Sequence, residues 1–570
     1  MNALVSQVAS ASEVPVIAPA QTLAILSAKN NSLTTSLLNE FFRLRPEWRC
    51  FLLDDGDNAP ADLDGAVTSC IFVPSLTTRD CLSPDLGEAR RLFETTSLRQ
   101  VQQFVLISSA LIYGTGPGRQ GFVTENHLPH PAHSSSISEQ WGSLETLVRE
   151  NLEPATTLTI LRPAIVLAGK GLFPGLFSRW FVPSLPGHDP VLQFLSLSDL
   201  AAALICAVRA NKAGIFNVAP DYAIPLHHAT RLGKAIRLPV PRTLRRTIQS
   251  KHALDFLRYS WTISNAGIKK ELGFAPSKSS LAALQEFRNQ NPDPSAPEPQ
   301  FDRFGMDEDY IRFYGKSLFK FLSEYYWRIE DKGLENIPRQ GPAVMVGMHR
   351  GFMPWDGVMA LHTIVKKTGR YPRFLTHPAL LKFPFLANFM TKLGGVVACQ
   401  ESAEHVLASD GLLGIFPEGI HGAFTLYRDT YKLQAFGRDV FVKLAIRHRA
   451  PIIPFVTVGS AEMFPIFGKI KSRLWTRYAG WPFIPITPTF PVLPVPLPSK
   501  WHTQVLPAIH IKQYPPEAAE DRAVVKAVSR QVRAQMQQAI DEMVSRRRSI
   551  FFGSIFERRK DESQSKPAAV

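Results

Sequence analysis

Cysteine is scarce in this chain. Five in 570 residues (Cys50, Cys70, Cys81, Cys206 and Cys399) form no CxxC and no paired spacing. That argues against a disulfide scaffold or a zinc site and fits a reducing compartment. The first twenty residues have no basic stretch ahead of their apolar ones, so no secretory signal is expected. A spanning helix needs about 20 apolar residues with intact backbone hydrogen bonds. The longest charge-free stretch, Ala479–Ser499, carries prolines at 482, 485, 488, 491, 494, 496 and 498, each of which removes a helical donor. Any membrane contact is therefore expected at the surface. The positive charge comes without a helix-turn-helix, finger or stacking-sheet motif, which argues against nucleic acid as the partner.

What is present is ordinary globular material in quantity. Apolar residues make up 45% and charged residues 20%, so general disorder is excluded. The length calls for more than one domain. Lys+Arg 64 against Asp+Glu 49 gives +15, a balance that suits an anionic membrane surface. The stretch Asn289–Gln300 (NQNPDPSAPEPQ) is proline-rich and without hydrophobic periodicity, the best linker in the chain. The expected organisation is a flexible N-terminus over 1–20, a first domain over 21–287, a linker over 288–300, a second domain over 301–550, and a basic-aromatic, then disordered tail over 551–570.

Both domains read as α/β. In the first, strand-length apolar runs (Leu23–Ser27, Phe51–Asp54, Ile71–Pro74, Phe104–Ser108) alternate with amphipathic stretches such as Leu33–Leu44, the pattern of a doubly wound parallel sheet. In the second, a helical Tyr310–Tyr326 precedes strands at Ala343–Met348, Gly395–Ala398, Leu412–Phe416 and Ile452–Val456, and a helix over Glu517–Arg546 closes the domain.

The runs FVLISSALIYG (Phe104–Gly114), ILRP (Ile160–Pro163), FLSLSDLAAAL (Phe194–Leu204), GIFNVAPDYAIPL (Gly214–Leu226) and NAGIKKELGFAPSKS (Asn265–Ser279) resemble an extended short-chain dehydrogenase of the NAD-dependent epimerase type. The resemblance implies a Rossmann-like fold, but the residues for its chemistry are absent. Where the family places three glycines around the dinucleotide pyrophosphate, this chain has Ala28, Asn31 and Thr34, whose bulk fills the space the phosphates would occupy. The positions of the catalytic Tyr and Lys hold Ile137 and Trp141, and no Tyr or Lys occurs from Gly121 to Ala155. Ser109 remains, and Asp54 stands where a ribose-binding acid would be. Residual NAD(P) binding, or a reductase or epimerase activity that supplies the second domain's acceptor, is the alternative to a scaffold or ligand-sensing role.

In the second domain, VMVGMHRGFMPWDGV (Val344–Val358) sets a histidine just past an apolar strand with an aspartate following. A His–carboxylate pair activates a weak hydroxyl nucleophile, because the imidazole takes the proton and the carboxylate fixes its tautomer. LLGIFPEGIHG (Leu412–Gly422) then runs a buried-type strand into Pro-Glu-Gly, and APIIPFVTVG (Ala450–Gly459) adds a third element. This ordered set is similar to the glycerophospholipid acyltransferases, which move an acyl group from acyl-CoA or acyl-carrier protein to a lipid hydroxyl. The resemblance implies His349 as catalytic base, Asp356 as its orienting partner, and Phe416, Pro417, Glu418 and Gly419 as the acceptor-binding loop. It requires neither metal nor redox cofactor.

Three departures stand out. Six residues rather than four separate His349 from Asp356, so the loop must bulge. Gln400 and His421 stand where the family has arginines thought to hold the acceptor's phosphate. Their loss implies a neutral or differently charged acceptor, or replacement by Arg350, Arg428, Lys432 or Arg438. His405, His448 and His502 have no motif around them and read as structural. Gly468–Pro485 interleaves Lys469, Lys471, Arg473 and Arg477 with Trp475, Tyr478 and Trp481, and Ser545–Lys560 repeats the theme. With the helix around Tyr310–Tyr326, these are candidates for docking on an anionic leaflet. The expected setting is peripheral, on the cytoplasmic face of a membrane.

Overall fold

The computed structural model describes residues 22–28, 31–53, 68–78, 81–96, 101–116, 122–127, 136–168, 171–178, 181–232, 236–239, 256–288, 301–302, 304–437, 439–490 and 495–556. The N-terminus over 1–20, Asp54, the linker core Asn289–Gln300, Arg438 and the cations at 558–560 lie outside the described residues.

The first unit is built on six parallel strands: β1 (Thr22–Leu26), β2 (Arg49–Leu53), β3 (Ser69–Phe72), β4 (Gln103–Ile107), β5 (Thr157–Pro163) and β6 (Gly214–Val218). Their order across the sheet is β6-β5-β4-β3-β1-β2. β1, β3 and β4 are buried almost throughout, because helices cover both faces of a parallel sheet and leave no polar side. Helix Ser32–Leu44 leaves β1 through Asn31, whose Oδ1 accepts from the Leu33 N–H at 3.0 Å, a standard N-cap. From β1 the chain winds outward to β2 and then crosses to β3 on the other side. The connections leaving the C-terminal ends of β1 and β3 therefore diverge, which opens a crevice beyond that edge of the sheet, where open α/β sheets bind ligands.

The second unit holds seven strands: β7 (Glu330–Lys332), β8 (Ala343–Gly347), β9 (Pro372–Thr376), β10 (Val396–Val397), β11 (Leu412–Ile415), β12 (Ile452–Val458) and β13 (His502–Val505). They lie in the order β7-β13-β12-β8-β11-β9-β10, with only the β12–β13 pairing antiparallel. Helix Arg522–Arg546 covers one face, packing Val525, Val528, Val532 and Met536 with Val344 and Val456. Helix Trp355–Thr368 covers the other, placing Met359 and Leu361 with Met345 and Ile453. β8 lies at the middle, so whatever follows it emerges at the centre of the sheet's C-terminal edge.

Four elements differ from the sequence reading. The helix expected over Tyr310–Tyr326 breaks at Ser317 (φ −115, ψ −96) into Glu308–Lys316 and Leu318–Phe321, and a π turn over Leu322–Tyr326 follows. The terminal helix starts at Arg522, because Asp521 caps it and the preceding residues form a 3₁₀ turn. Strands β9 and β13 carry polar residues and were not legible as apolar runs. The tail also begins later than position 551. Ile555 is buried in the second unit's core and the Phe556 ring meets that of His502.

The two units touch. Phe122 of the first lies 4.7 Å from the His405 ring and 6.2 Å from Phe304, and Lys392 pairs with Asp189 at 3.3 Å.

Candidate functional site

β8 ends at Gly347, where a Cβ would stand 2.7 Å from the Phe416 ring and meet Phe455 as well. Only glycine lets those rings close over the strand end. The chain then leaves the sheet and turns through Gly351 at φ +75 before the helix that begins at Trp355. This loop is the bulge that six intervening residues demand. It returns Asp356, on the first helical turn, to His349: Nδ1 and Oδ2 lie 2.6 Å apart. The same Oδ2 accepts from the Arg350 N–H at 2.9 Å, and Oδ1 accepts from the Gly357 N–H at 2.8 Å. The carboxylate is buried, while the imidazole is 14% exposed. With Nδ1 turned to the carboxylate, Nε2 is the ring nitrogen left for a substrate.

Arg350 lies beneath this dyad and is buried. Its Nη1 donates to both Glu418 oxygens (2.8 and 3.0 Å) and to the His349 carbonyl (2.7 Å), Nε donates to the Thr430 carbonyl, and Nη2 to the Lys432 carbonyl. Glu418 also accepts from the Gln434 N–H at 2.7 Å. Both side chains are buried. These contacts correct two expectations. Arg350 is buried against Glu418 and backbone carbonyls rather than presented to an acceptor phosphate, and the Glu418 carboxylate turns inward to hold the His349 loop against the Pro-Glu-Gly loop rather than outward to an acceptor.

Around the dyad lies a cavity of about 190 Å³. Phe416 forms part of its wall, with its ring 5.1 Å from His349 and stacked on Phe374 at 5.5 Å. Gly419, at φ +57, also lines it. Pro417, Glu418, His421, Arg428 and Lys432 do not. His421, Arg428 and Lys432 are exposed, and Arg428 pairs with Asp429. Gln400 is on the surface, hydrogen-bonded to Glu404. No Lys or Arg is found among the described lining residues, and the remainder is largely apolar: Leu361, Leu380, Met390, Ile420, Phe424 and Trp481. Trp481 corrects another expectation, because it is 7% exposed and walls the cavity rather than meeting headgroups.

Sequence reasoning missed His377, which lines the same cavity. Its Nδ1 accepts from the Ala379 N–H at 3.2 Å, and burial pushes its pKa down, favouring the neutral ring. A histidine between a strand and a helix-initiating proline was the only signal. His405 packs between aromatic rings, and His502 is buried beside Glu330.

An acyltransferase family model matches residues 328–458, a span that holds both the dyad and the Phe416–Gly419 loop. An uncharacterized protein of Mycobacterium tuberculosis is 37% identical over 259 residues, 44% of this chain and 72% of that protein. The chain belongs to the acyltransferase family. The acyltransferase is also similar to the DGAT1/2-independent enzyme synthesizing storage lipids of Bos taurus, 29% identical over 164 residues, 29% of this chain and 48% of that enzyme. Among solved structures, human epimerase family protein SDR39U1 with NADPH (14% identity, 47% of this chain, 100% of that one, TM-score 0.37) and Thermotoga maritima UDP-glucose 4-epimerase (14%, 47%, 97%, 0.36) are similar.

In the acyltransferase's first unit the residues at the dinucleotide positions are engaged with one another. Thr34 Oγ1 lies 2.7 Å from Ser27 Oγ, which donates to the Val73 carbonyl, and Asn31 Nδ2 reaches that same carbonyl at 3.3 Å. Ala28 is half-buried beside them. Ile137 is buried, and the Trp141 indole donates to the Leu82 carbonyl at 2.9 Å. Ser109 caps a 3₁₀ turn by accepting from the Leu111 N–H. Nearby, Tyr113 donates to Asn217 Oδ1 at 2.7 Å and accepts from Arg162, which is paired with Glu145. Burial raises the Tyr113 pKa, opposite to what a catalytic tyrosine needs.

Proposed function

We propose that the protein transfers an acyl group from an acyl thioester, acyl-CoA or acyl-carrier protein, to the hydroxyl of a neutral lipid at a membrane surface. The observation that carries this reading is the His349–Asp356 pair set in an apolar cavity with no cation among its described lining residues. A phosphate-bearing acceptor calls for paired donors such as arginine. A glycerolipid or fatty alcohol does not, and the bovine relative's storage-lipid synthesis favours a glycerolipid.

The acceptor oxygen attacks the thioester carbonyl carbon as its proton passes to His349 Nε2, and Asp356 steadies the imidazolium. Collapse of the tetrahedral intermediate breaks the C–S bond, and the departing thiolate takes the proton back from His349. The products are ester and thiol, with no metal or redox cofactor in the balance. The first unit takes part as a non-catalytic partner.

Three exposed apolar side chains support a peripheral position on an anionic leaflet. Phe385 (73% exposed) lies on helix Pro384–Lys392, whose Met390 lines the cavity, and Phe313 (67% exposed) lies on Glu308–Lys316, packed against that helix through Tyr310 and Phe389. Leu474 (83% exposed) stands in sequence among Lys471, Arg473 and Arg477. Among the described residues no helix is long and apolar enough to cross a membrane.

The test is labelled acyl-CoA offered with monoacylglycerol, diacylglycerol, fatty alcohol and lysophosphatidate. Product should form with neutral acceptors, and His349→Ala should lower its rate by at least ~10²-fold without altering the circular dichroism spectrum. Undiminished turnover in His349→Ala would sink the dyad assignment, and a preference for lysophosphatidate would sink the neutral acceptor.

A further inference from the structure

The crevice beyond the C-terminal ends of β3, β4 and β5 is a formed cavity of about 210 Å³. Its walls are mostly apolar and aromatic, with Leu76, Leu82, Trp141, Phe173, Pro174 and Trp261 among them. None of its described lining residues is charged, and its polar side chains are serines, one amide, one thiol and two indoles, with Ser75, Ser109 and Asn31 among them.

A dinucleotide would bring two phosphate charges to the turn after β1. Among the described residues of that turn, the Asn31 and Ser27 side chains are tied to the Val73 carbonyl past the end of β3. The indole of Trp141 stands where the family's lysine would meet a ribose. The charged groups deeper in the fold, Glu145 and Arg162, are satisfied by each other and by Ser108 and Tyr113, so none is free to meet a ligand charge. Burying an anion against such walls is costly, whereas burying a hydrocarbon chain is favourable. Ser109 Oγ accepts from a backbone N–H and keeps its proton for a ligand oxygen.

We propose that this crevice binds an uncharged single-chain lipid of the monoacylglycerol or fatty-alcohol class in place of a dinucleotide. The hydrocarbon chain lies along the tryptophan and leucine walls, and the hydroxyl or ester end meets the serine hydroxyls. The inference rests on this unit's own lining and not on the transfer reaction, so either can fail alone.

The experiment uses the full chain carrying His349→Ala, so that the probe is not consumed, and a monoacylglycerol with a photoreactive diazirine in its acyl chain. After irradiation, adducts are mapped by peptide mass spectrometry. We expect adducts on peptides containing Leu76–Leu82 or Phe173, competed by unlabelled monooleoylglycerol and unchanged by millimolar NADH or NADPH. Ala164 is buried in the crevice wall. Ala164→Trp should lower those adducts at least ~10-fold by filling the space, while adducts on second-unit cavity peptides persist and report a folded chain. If Ala164→Trp does not fold, the mapping and competition on the parent chain decide the matter. Adducts confined to the second unit would overturn the proposal, as would first-unit adducts displaced by NADH or NADPH.

Discussion

At the scale of single residues, the buried Arg350–Glu418 pair links the acyltransferase motifs. Removing one partner of such a pair strands a charge and typically costs ~3–5 kcal/mol, whereas replacing both with apolar groups is close to neutral. Glu418→Gln should therefore lower the urea midpoint strongly, and Arg350→Met combined with Glu418→Leu should recover most of the loss. Equal stability of Glu418→Gln and wild type would remove the pair from the account. His502 makes a pH prediction. Burial, helped by Lys500 and Arg547 and opposed by Glu330, pushes its pKa down to about 4. The unfolded chain binds that proton near pH 6.5, so the unfolded state holds more protons between the two values. Stability is full above about pH 6.5 and falls as pH drops towards 4, by up to ~3 kcal/mol. His502→Gln should flatten that part of the curve, as read from urea midpoints at pH 7.5 and 5.

At the scale of elements, the chain's longest described helix, Arg522–Arg546, depends on its first turn. Asp521 accepts from the Ala523 and Val524 N–H groups at 2.8 and 3.4 Å. Asp521→Ala should cost ~1 kcal/mol, measured by thermal or urea unfolding, with acyl transfer unchanged because the helix lies on the face of the sheet opposite helix Trp355–Thr368. The elements carrying the dyad were legible in the sequence, since β8 and β11 are continuous apolar runs ending in motif residues. β9 was not, because Arg373 and Thr376 interrupt its apolar character. Yet β9 supplies Phe374, the ring on which Phe416 stacks.

At the scale of the whole molecule, the basic excess and the exposed apolar groups act together. Fully burying one large apolar side chain gains ~1.5–3 kcal/mol. Phe313→Ser combined with Phe385→Ser should therefore lower partition onto vesicles containing anionic lipid by at least ~10-fold, with activity on a detergent-dispersed acceptor retained. Flotation that is undiminished, or insensitive to salt, would place the docking surface elsewhere. The contact between units through Phe122, His405 and Phe304 joins the crevice unit to the helix Gln400–Ala408 that precedes β11. No sequence pattern announced this contact, because each of these residues also reads as ordinary core.

The sequence by itself determined the two α/β units, the loss of the pyrophosphate glycines and of the Tyr and Lys, and the residues His349, Asp356 and Phe416–Gly419. Each of these is carried by residue identity and order along the chain, which folding does not alter. Only the tertiary structure decided how the long His–Asp loop closes, that Arg350 and Glu418 pair with each other, that Trp481 and His377 wall a cavity with no cation among its described lining residues, and that the described lining of the first unit's crevice is uncharged. Those depend on which side chains meet across strands far apart in sequence. A buried arginine and a solvated one are spelled with the same letter, and burial assigns their roles.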